Sequence, residues 1–370
     1  MRRAISTLAA AAALISAPAA LAQTAVPDPG TTAPTAPAAP PPPVAPPTHP
    51  AMATGWGAVS AAGAALLSAP DASAAPSGVA ASARVAGNAT DVARDGAGAV
   101  WVRLVFPDAV MGWAPGAEVR AVPPPDTLSA GTRRALTRAN ASLGARAALV
   151  VRDRWGRTLL AAGATRPLSL ASVTKMATVS AALAADPSLS LRSVAAILGP
   201  SDNAKAQALS NRLGAGSRAL GARSAVTHAA GLGADWRLVD GSGLSPANRA
   251  SAGEVADLLL GVRDEPGFAT LIRGMPMAGR TGTLAGRMIG TSAAGRVRAK
   301  TGSLFDHPTS SLAGYFWPAG SGLSPERALV VVSLENGVSP YRARPVQDVI
   351  AAALTARGAL VPASPAAAAR

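Results

Sequence analysis

Ser172 and a second serine-led triplet that begins at Ser201 lie 29 residues apart (201 − 172), and the residues between them leave the chain few ways to fold. The stretch after Lys175, MATVSAALAA, contains no Gly or Pro, so a helix that starts at Ser172 runs on to Asp186, ~21 Å at ~1.5 Å per residue. Asp186, Pro187 and Ser188 are turn residues. Beyond them, Leu189 to Gly199 carries an apolar stripe of Leu191, Val194, Ala195 and Leu198, which predicts a return helix of ~17 Å. An antiparallel helical hairpin therefore brings Ser201 back beside Ser172.

Ser172 and Lys175 are three residues apart, so one face of a helix start carries both side chains. A serine hydroxyl is a weak nucleophile at neutral pH, and a desolvated lysine that can accept its proton is one way to activate it. The unpaired N–H groups of a helix N-terminus also suit a developing oxyanion. Gly199 and Pro200 end the return helix, which puts Ser201, Asp202 and Asn203 on a loop before a further helix over 204–214. Asp202 and Asn203 are good helix caps, but capping does not call for the serine in front of them.

Lysine usage points to the same residues. Of 34 basic residues only Lys175, Lys205 and Lys300 are lysine, which leaves 31 arginines (34 − 3). Arginine stays charged at working pH, so a general base has to remain lysine where a bias toward arginine has replaced it elsewhere. Lys205 reads as a helix-surface residue.

The chain contains no cysteine, which removes disulfides and thiol chemistry. Its three histidines, His49, His228 and His307, are too scattered for a metal site, and neither a cofactor nor a metal is expected. There is no G-x-S-x-G elbow, which with so few histidines argues against a Ser-His-Asp hydrolase. A formal charge of +14 fits either attraction to anionic envelope polymers or solubility under an arginine bias. No nucleic-acid motif accompanies it, so nucleic acid is not an expected partner.

Residues 1–22 read as a secretory leader, with Ala20, Leu21 and Ala22 as the cleavage site, and no later stretch is apolar enough to span a membrane. Residues 23–52, rich in Ala and Pro, read as an extended linker. Residues 54–122 are expected to form a small all-β domain, with strands at 100–106 and 111–119, and hold three of the six tryptophans, Trp56, Trp101 and Trp113. VPPPD (122–126) marks a boundary. A second domain over 127–357 opens with a helix capped by Asp126 or Thr127 and stopped by Gly144, followed by strands at 146–154 and 157–164. Another helix should start near Ser251, with strands at 297–304, 312–318 and 328–336 and a closing helix over 344–357. Residues 358–370 read as a disordered tail.

Three strings in order, SVTK (172–175), SDN (201–203) and KTGS (300–303), resemble the motif set of the serine β-lactamases and penicillin-binding proteins. DGSGLS (240–245), PMAGRTGTL (276–284) and AGRVRAKTGSL (294–304) narrow the resemblance to the D-alanyl-D-alanine carboxypeptidase/endopeptidase family of class C low-molecular-mass penicillin-binding proteins, peptidase S13. The order of strands and turns in 54–122 resembles bacterial SH3-like modules. Arg280, Thr281 and Gly282 mimic the third motif, but an arginine cannot be its tunable amine.

The resemblance implies an α+β (α/β) fold of the serine β-lactamase/transpeptidase type, an antiparallel sheet flanked by helices with a helical lobe. It implies peptidoglycan stem peptides ending in D-Ala-D-Ala as substrate, β-lactams as covalent inhibitors, and a place in the periplasm or at the cell wall. Ser172 would attack the penultimate D-Ala carbonyl, Lys175 would take its proton, and Ser201 would relay a proton to the departing amine. Asn203, Lys300, Thr301, Gly302 and Ser303 would bind substrate, with the Ser172 and Ser303 amides as oxyanion hole. Two departures stand out: only 25 residues separate Lys175 from Ser201, where family members often carry a large insertion, and Asp306 and His307 extend the loop after KTGS. A non-catalytic wall-binding protein on the same fold, or a serine β-lactamase, are the competing readings. The second lacks a glutamate with Asn four residues on.

Overall fold

The computed structural model describes residues 55–59, 65–79, 86–106, 110–122 and 126–362. The leader, the whole linker with His49, and residues 363–370 of the tail lie outside the described residues. Among those described, no helix is long and apolar enough to cross a membrane, and no cluster of His, Cys, Asp or Glu could hold a metal ion.

The N-terminal part is one antiparallel sheet of β1 (Gly55–Val59), β2 (Ala65–Leu67), β3 (Pro76–Val79), β4 (Ala86–Arg94), β5 (Val100–Val105), β6 (Met111–Pro115) and β7 (Val119–Val122), in spatial order β3-β2-β6-β5-β4-β1-β7. Trp101 and Leu104 are both buried on β5 but, three residues apart, face opposite sides of the sheet, and the small core is Leu66, Leu104, Phe106 and Ala114. Trp101 is not part of that core, and its indole N–H donates to Asp95 Oδ2 at 3.0 Å. Trp113 is only half-buried. Aliphatic residues and Phe106, more than Trp101 and Trp113, therefore fill this core.

The chain continues through β8 (Asp126–Leu128), α1 (Ala130–Ala141), β9 (Ala147–Arg152), β10 (Thr158–Ala162), β11 (Leu168–Ser169), α2 (Thr174–Ala185), α3 (Leu191–Leu198), α4 (Asn203–Leu213) and α5 (Arg218–Gly231). It ends with β12 (Arg249–Ala250), α6 (Ala252–Gly261), α7 (Phe268–Gly274), β13 (Val297–Leu304), β14 (Thr309–Phe316), β15 (Leu329–Asn336), α8 (Pro340–Thr355) and β16 (Leu360–Pro362). Five strands make an antiparallel sheet in the order β10-β9-β15-β14-β13. The run LVVV (329–332) in β15 is apolar at successive positions because both faces are covered. Leu329 and Val331 join α1 and α8 through Leu136, Ile350 and Leu354, whereas Val330, Val332 and Leu334 join α2 and α6 through Met176, Val255 and Leu259. This is the α+β arrangement of sheet, flanking helices and helical lobe expected from the sequence.

Helix α2 is buried from Thr174 to Leu183, which matches its lack of a polar face. The return helix buries Val194, Ile197 and Leu198, while Leu191 and Ala195 are only half-buried, so its stripe is rotated from the expected one. Two boundaries also differ. Ser129, whose hydroxyl accepts from the Thr132 N–H, caps α1, because Asp126–Leu128 is a strand paired with Leu360–Pro362. That pairing takes residues 360–362 out of the expected tail and ties the two ends of the domain together. The closing helix begins at Pro340, with Ser339 as its cap and Pro345 in its first turns, four residues before the expected start at 344.

Candidate active site

Ser172 does not open an α-helix directly: Ala171–Val173 form a 3-10 turn, and α2 follows from Thr174. The turn is anchored from behind, where Leu170 N donates to Asn248 O at 3.1 Å and Asn336 brackets Ser169 with hydrogen bonds of 2.8 and 3.2 Å. Ala171 has φ +46°, left-handed backbone that a non-glycine residue holds only when its surroundings dictate it. One reason is Gly243, at φ +84°: a Cβ there would stand 2.2 Å from the Ala171 carbonyl oxygen.

One turn later Lys175 points back along the helix, as helical side chains do. Its Nζ donates to Ser172 Oγ at 2.9 Å, to Asn203 Oδ1 at 2.7 Å and to the Ser242 carbonyl. Burial pushes its pKa down to about 8, with Asp240 and Asp202 resisting the shift. An amine so poised, hydrogen-bonded to a serine hydroxyl, can accept that hydroxyl's proton.

The helical hairpin returns the chain to this point. Asp202 N donates to Ile197 O at 3.0 Å, and Ser201 takes φ +64° between them. This is the left-handed residue of a Schellman-type helix end, usually glycine. A serine here sets a hydroxyl on the sharpest bend of the loop. Asp202 then caps α4, accepting from Lys205 N at 2.9 Å, and forms a 2.7 Å ion pair with the exposed Lys205. With the cap assigned to Asp202, Asn203 is the first helical residue, and its side-chain carbonyl is the part that meets Lys175.

Strand β13 brings up the third group. Lys300 is fully buried and donates to Ser201 Oγ at 2.8 Å and to Thr301 O at 2.7 Å. Burial, then the charge of Lys175, pushes its pKa well below that of a free lysine. Two buried amines this close cannot both stay protonated without cost. Gly302 allows the approach: a Cβ on it would lie 2.8 Å from Leu170 O and 3.0 Å from Ser172 N, so the strand backbone rests against the amide of the serine. Thr301 Oγ1 donates to Thr283 Oγ1 at 2.7 Å, and Ser303 Oγ accepts from Arg344 Nη2 at 3.1 Å.

All eight sequence-nominated residues thus fall in one neighbourhood. Ser172, Ser201, Asn203, Thr301 and Ser303 line a cleft of about 650 Å³, while Lys175 and Lys300 lie buried beneath it. His307 and Asp306 are exposed in the β13–β14 turn, and Lys205 is exposed on α4. Sequence reasoning overlooked several wall residues. Thr283, Arg287, Tyr341, Arg344 and Asp348 also line the cleft. RTG (280–282) is no second copy of the motif, but the turn that follows it forms part of the wall through Thr283, whose N–H donates to Gly199 O at 3.0 Å. Asp240 is the other omission. Burial alone would raise its pKa, yet bonds from Gly243 N (2.6 Å), Ser245 N (2.8 Å), Ser242 Oγ (3.0 Å) and Asn248 Nδ2 (3.2 Å) outweigh burial and hold it below the usual carboxylate range. Asp240 shapes the loop whose Ser242 carbonyl meets Lys175, and the turn-rich DGSG string was its only signal.

The sequence profile of the D-Ala-D-Ala carboxypeptidase 3 (S13) family matches residues 134–357. The chain is 38% identical over 149 residues to a D-alanyl-D-alanine carboxypeptidase of Actinomadura sp. (strain R39), which is 38% of this chain and 26% of that protein. It is 34% identical over 177 residues to carboxypeptidase DacB of Mycolicibacterium smegmatis, covering 44% of this chain and 36% of the relative. The chain thus spans roughly a quarter to a third of the curated relatives it matches. A solved structure of penicillin binding protein 4 (dacB) from Haemophilus influenzae is similar at 25% identity over 43% of this chain and 39% of its own, with a TM-score of 0.37.

Proposed function

The chain belongs to the D-Ala-D-Ala carboxypeptidase 3 (S13) family, and from that premise we propose that it is a serine-type, penicillin-binding D-Ala-D-Ala carboxypeptidase and/or cross-link endopeptidase, acting on peptidoglycan stem peptides. The observation that carries this reading is the pairing of Lys175 Nζ with both Ser172 Oγ and Asn203 Oδ1 (2.9 and 2.7 Å), beside Lys300 Nζ on Ser201 Oγ (2.8 Å).

Each residue then has a task. Ser172 Oγ attacks the carbonyl carbon of the penultimate D-Ala while its proton passes to neutral Lys175 Nζ. The amides of Ser172 and Ser303 hold the oxyanion. As the C–N bond breaks, the departing amine takes a proton from Ser201 Oγ, which recovers one from the two-lysine network. Asn203 accepts from Lys175 through Oδ1, so its NH2 end is left for the substrate backbone. Thr301 and Ser303 hydroxyls suit the free carboxylate of the leaving D-Ala. Water, its proton drawn by the same network, then attacks the acyl-enzyme and releases the shortened peptide.

The leader through Ala22 directs export to the periplasm or cell wall, and residues 54–122 act as an SH3-like module that keeps the domain near the wall. Deleting 54–122 should lower the fraction that sediments with purified sacculi. The short connection between Lys175 and Ser201 leaves the cleft without the walls that a large insertion would add. Incubation with a penicillin and intact-mass analysis of wild type and Ser172→Ala tests the central reading. A slowly hydrolysed adduct on the wild type alone is expected. Rapid turnover of the drug would indicate a β-lactamase, and absence of any adduct a non-catalytic wall-binding protein.

A further inference from the structure

Arg344 stands in the cleft wall with its charge uncommitted. It is half-buried on α8, and its guanidinium donates to Ser303 Oγ, a neutral acceptor, at 3.1 Å. Among the described residues no carboxylate lies within ion-pair distance of it. The natural partner would be Asp348, one turn on at i+4. Asp348 is instead held by Arg287, at 2.9 Å from Nε and 2.5 Å from Nη2, and Arg287 also donates to the Arg344 carbonyl at 3.1 Å. Arg287 thereby neutralises the one acid beside Arg344 and pins the backbone from which Arg344 projects. What is left is a fixed cation whose first contact is the Ser303 hydroxyl, at the edge of the cleft lined by Ser172, Ser201 and Thr301.

Lys300 is poorly placed to play this part. It is fully buried, its hydrogen-bond partners are the neutral oxygens of Ser201 and Thr301, and burial disfavours its charged form. Arginine, by contrast, remains protonated and presents a planar fork that matches a carboxylate. Resting on the reading of Ser172 as the nucleophile, we propose that Arg344 is the specificity residue that selects substrates with a free carboxylate on the carbon bearing the scissile nitrogen, pairing with that carboxylate together with the Thr301 and Ser303 hydroxyls. A terminal D-amino acid and the D-centre of a cross-link share this chemistry, so the same arginine serves trimming and cross-link cleavage. A peptide amide, which has no charge there, gains nothing from it.

The test compares an acyl-D-Ala-D-Ala peptide with its C-terminal carboxamide. Wild type should favour the acid. Arg344→Gln should lower kcat/KM for the acid about 10- to 100-fold, the range of a hydrogen bond to a charged group, leave the amide unchanged, and keep the thermal midpoint. Arg344→Lys should recover part of the preference. Equal losses on acid and amide would mean that Arg344 only props Ser303, and an unchanged preference would mean that it does not meet the carboxylate; either result overturns the proposal. The same peptides titrated calorimetrically into Ser172→Ala protein, with and without Arg344→Gln, report the preference without turnover. The acid should lose affinity 10- to 100-fold and the amide none, whereas no acid preference in Ser172→Ala overturns the proposal. A missing penicillin adduct on wild type would count against the acyl-transfer reading alone. Repeating the acid arm with a cross-linked dimer distinguishes the two carboxylate sources.

Discussion

The two walls of the cleft are built on different physical terms. On the helical side, Ser172, Lys175, Ser201 and Asn203 come from segments at most 31 residues apart (203 − 172), and short hydrogen bonds join Lys175 to Ser172 and Asn203. On the sheet side, Thr301 and Ser303 meet residues that the chain supplies from Thr283 and Arg344, Ser303 and Arg344 being 41 positions apart, while Lys300 reaches across to Ser201. One wall holds the proposed bond-making groups in strained, glycine-braced backbone. The other presents a permanent charge and hydroxyls on a strand and a helix that the buried sheet keeps rigid. Reactivity and grip are thus separable, and each wall should fail in its own way.

The sharpest break is Lys175→Arg. The variant keeps a positive charge but cannot take the serine proton, and penicillin acylation should fall roughly a thousandfold. In the wild type, the acylation rate should rise as pH passes about 8, because the Lys175 amine is neutral only above that range. Intact-mass time courses between pH 6 and 9.5 measure both. A variant within tenfold of wild type would show that another group accepts the proton.

Next in size is a group behind the gripping wall. Glu335 is fully buried; it accepts from Ser333 Oγ and from Gln347 Nε2 at 2.7 Å, and Gln347 Oε1 in turn accepts from Arg287 at 3.1 Å. Burial pushes its pKa up to about 7, against the two hydrogen bonds and Arg287. The folded protein therefore holds this proton where the unfolded chain, near the ordinary 4.5, has released it. Stability should fall as pH rises through that window, by on the order of 3 kcal/mol, and stay level above it. Glu335→Gln should remove that part of the slope. Urea denaturation at pH 5 and pH 8 would show it, and identical slopes for both proteins would assign the pH dependence elsewhere.

Gly302→Ala tests the seam between the walls. The added Cβ meets Leu170 O at 2.8 Å and Ser172 N at 3.0 Å. We expect a loss of about 1–3 kcal/mol from overpacking together with slower acylation. Normal acylation with an unchanged thermal midpoint would show that the strand does not position the serine. Lys205→Ala belongs at the bottom of the scale: the lysine pairs with Asp202 on an exposed helix start, and neither acylation nor the thermal midpoint should change measurably.

These contrasts follow what could be read in the chain. SVTK, SDN and KTGS were legible because each is a contiguous string, and the helical hairpin was legible because its length follows from a fixed rise per residue. The capping of α1 by Ser129 was misplaced because Asp126–Leu128 is claimed by a strand from Leu360–Pro362, more than two hundred residues away. The helix-end role of Ser201 was hidden because its φ of +64° belongs by habit to glycine.

What the sequence determined by itself was the inventory: which serines and lysines could do chemistry, in what order, and that a helical pair would bring the first two groups together. Only the tertiary structure decided which charges remain charged. Burial weakens the hold of both lysine amines on a proton, while Arg344 keeps its charge uncommitted because Arg287 holds the neighbouring acid. Burial and pairing are properties of what surrounds a group in space, and a linear order of residues does not contain them.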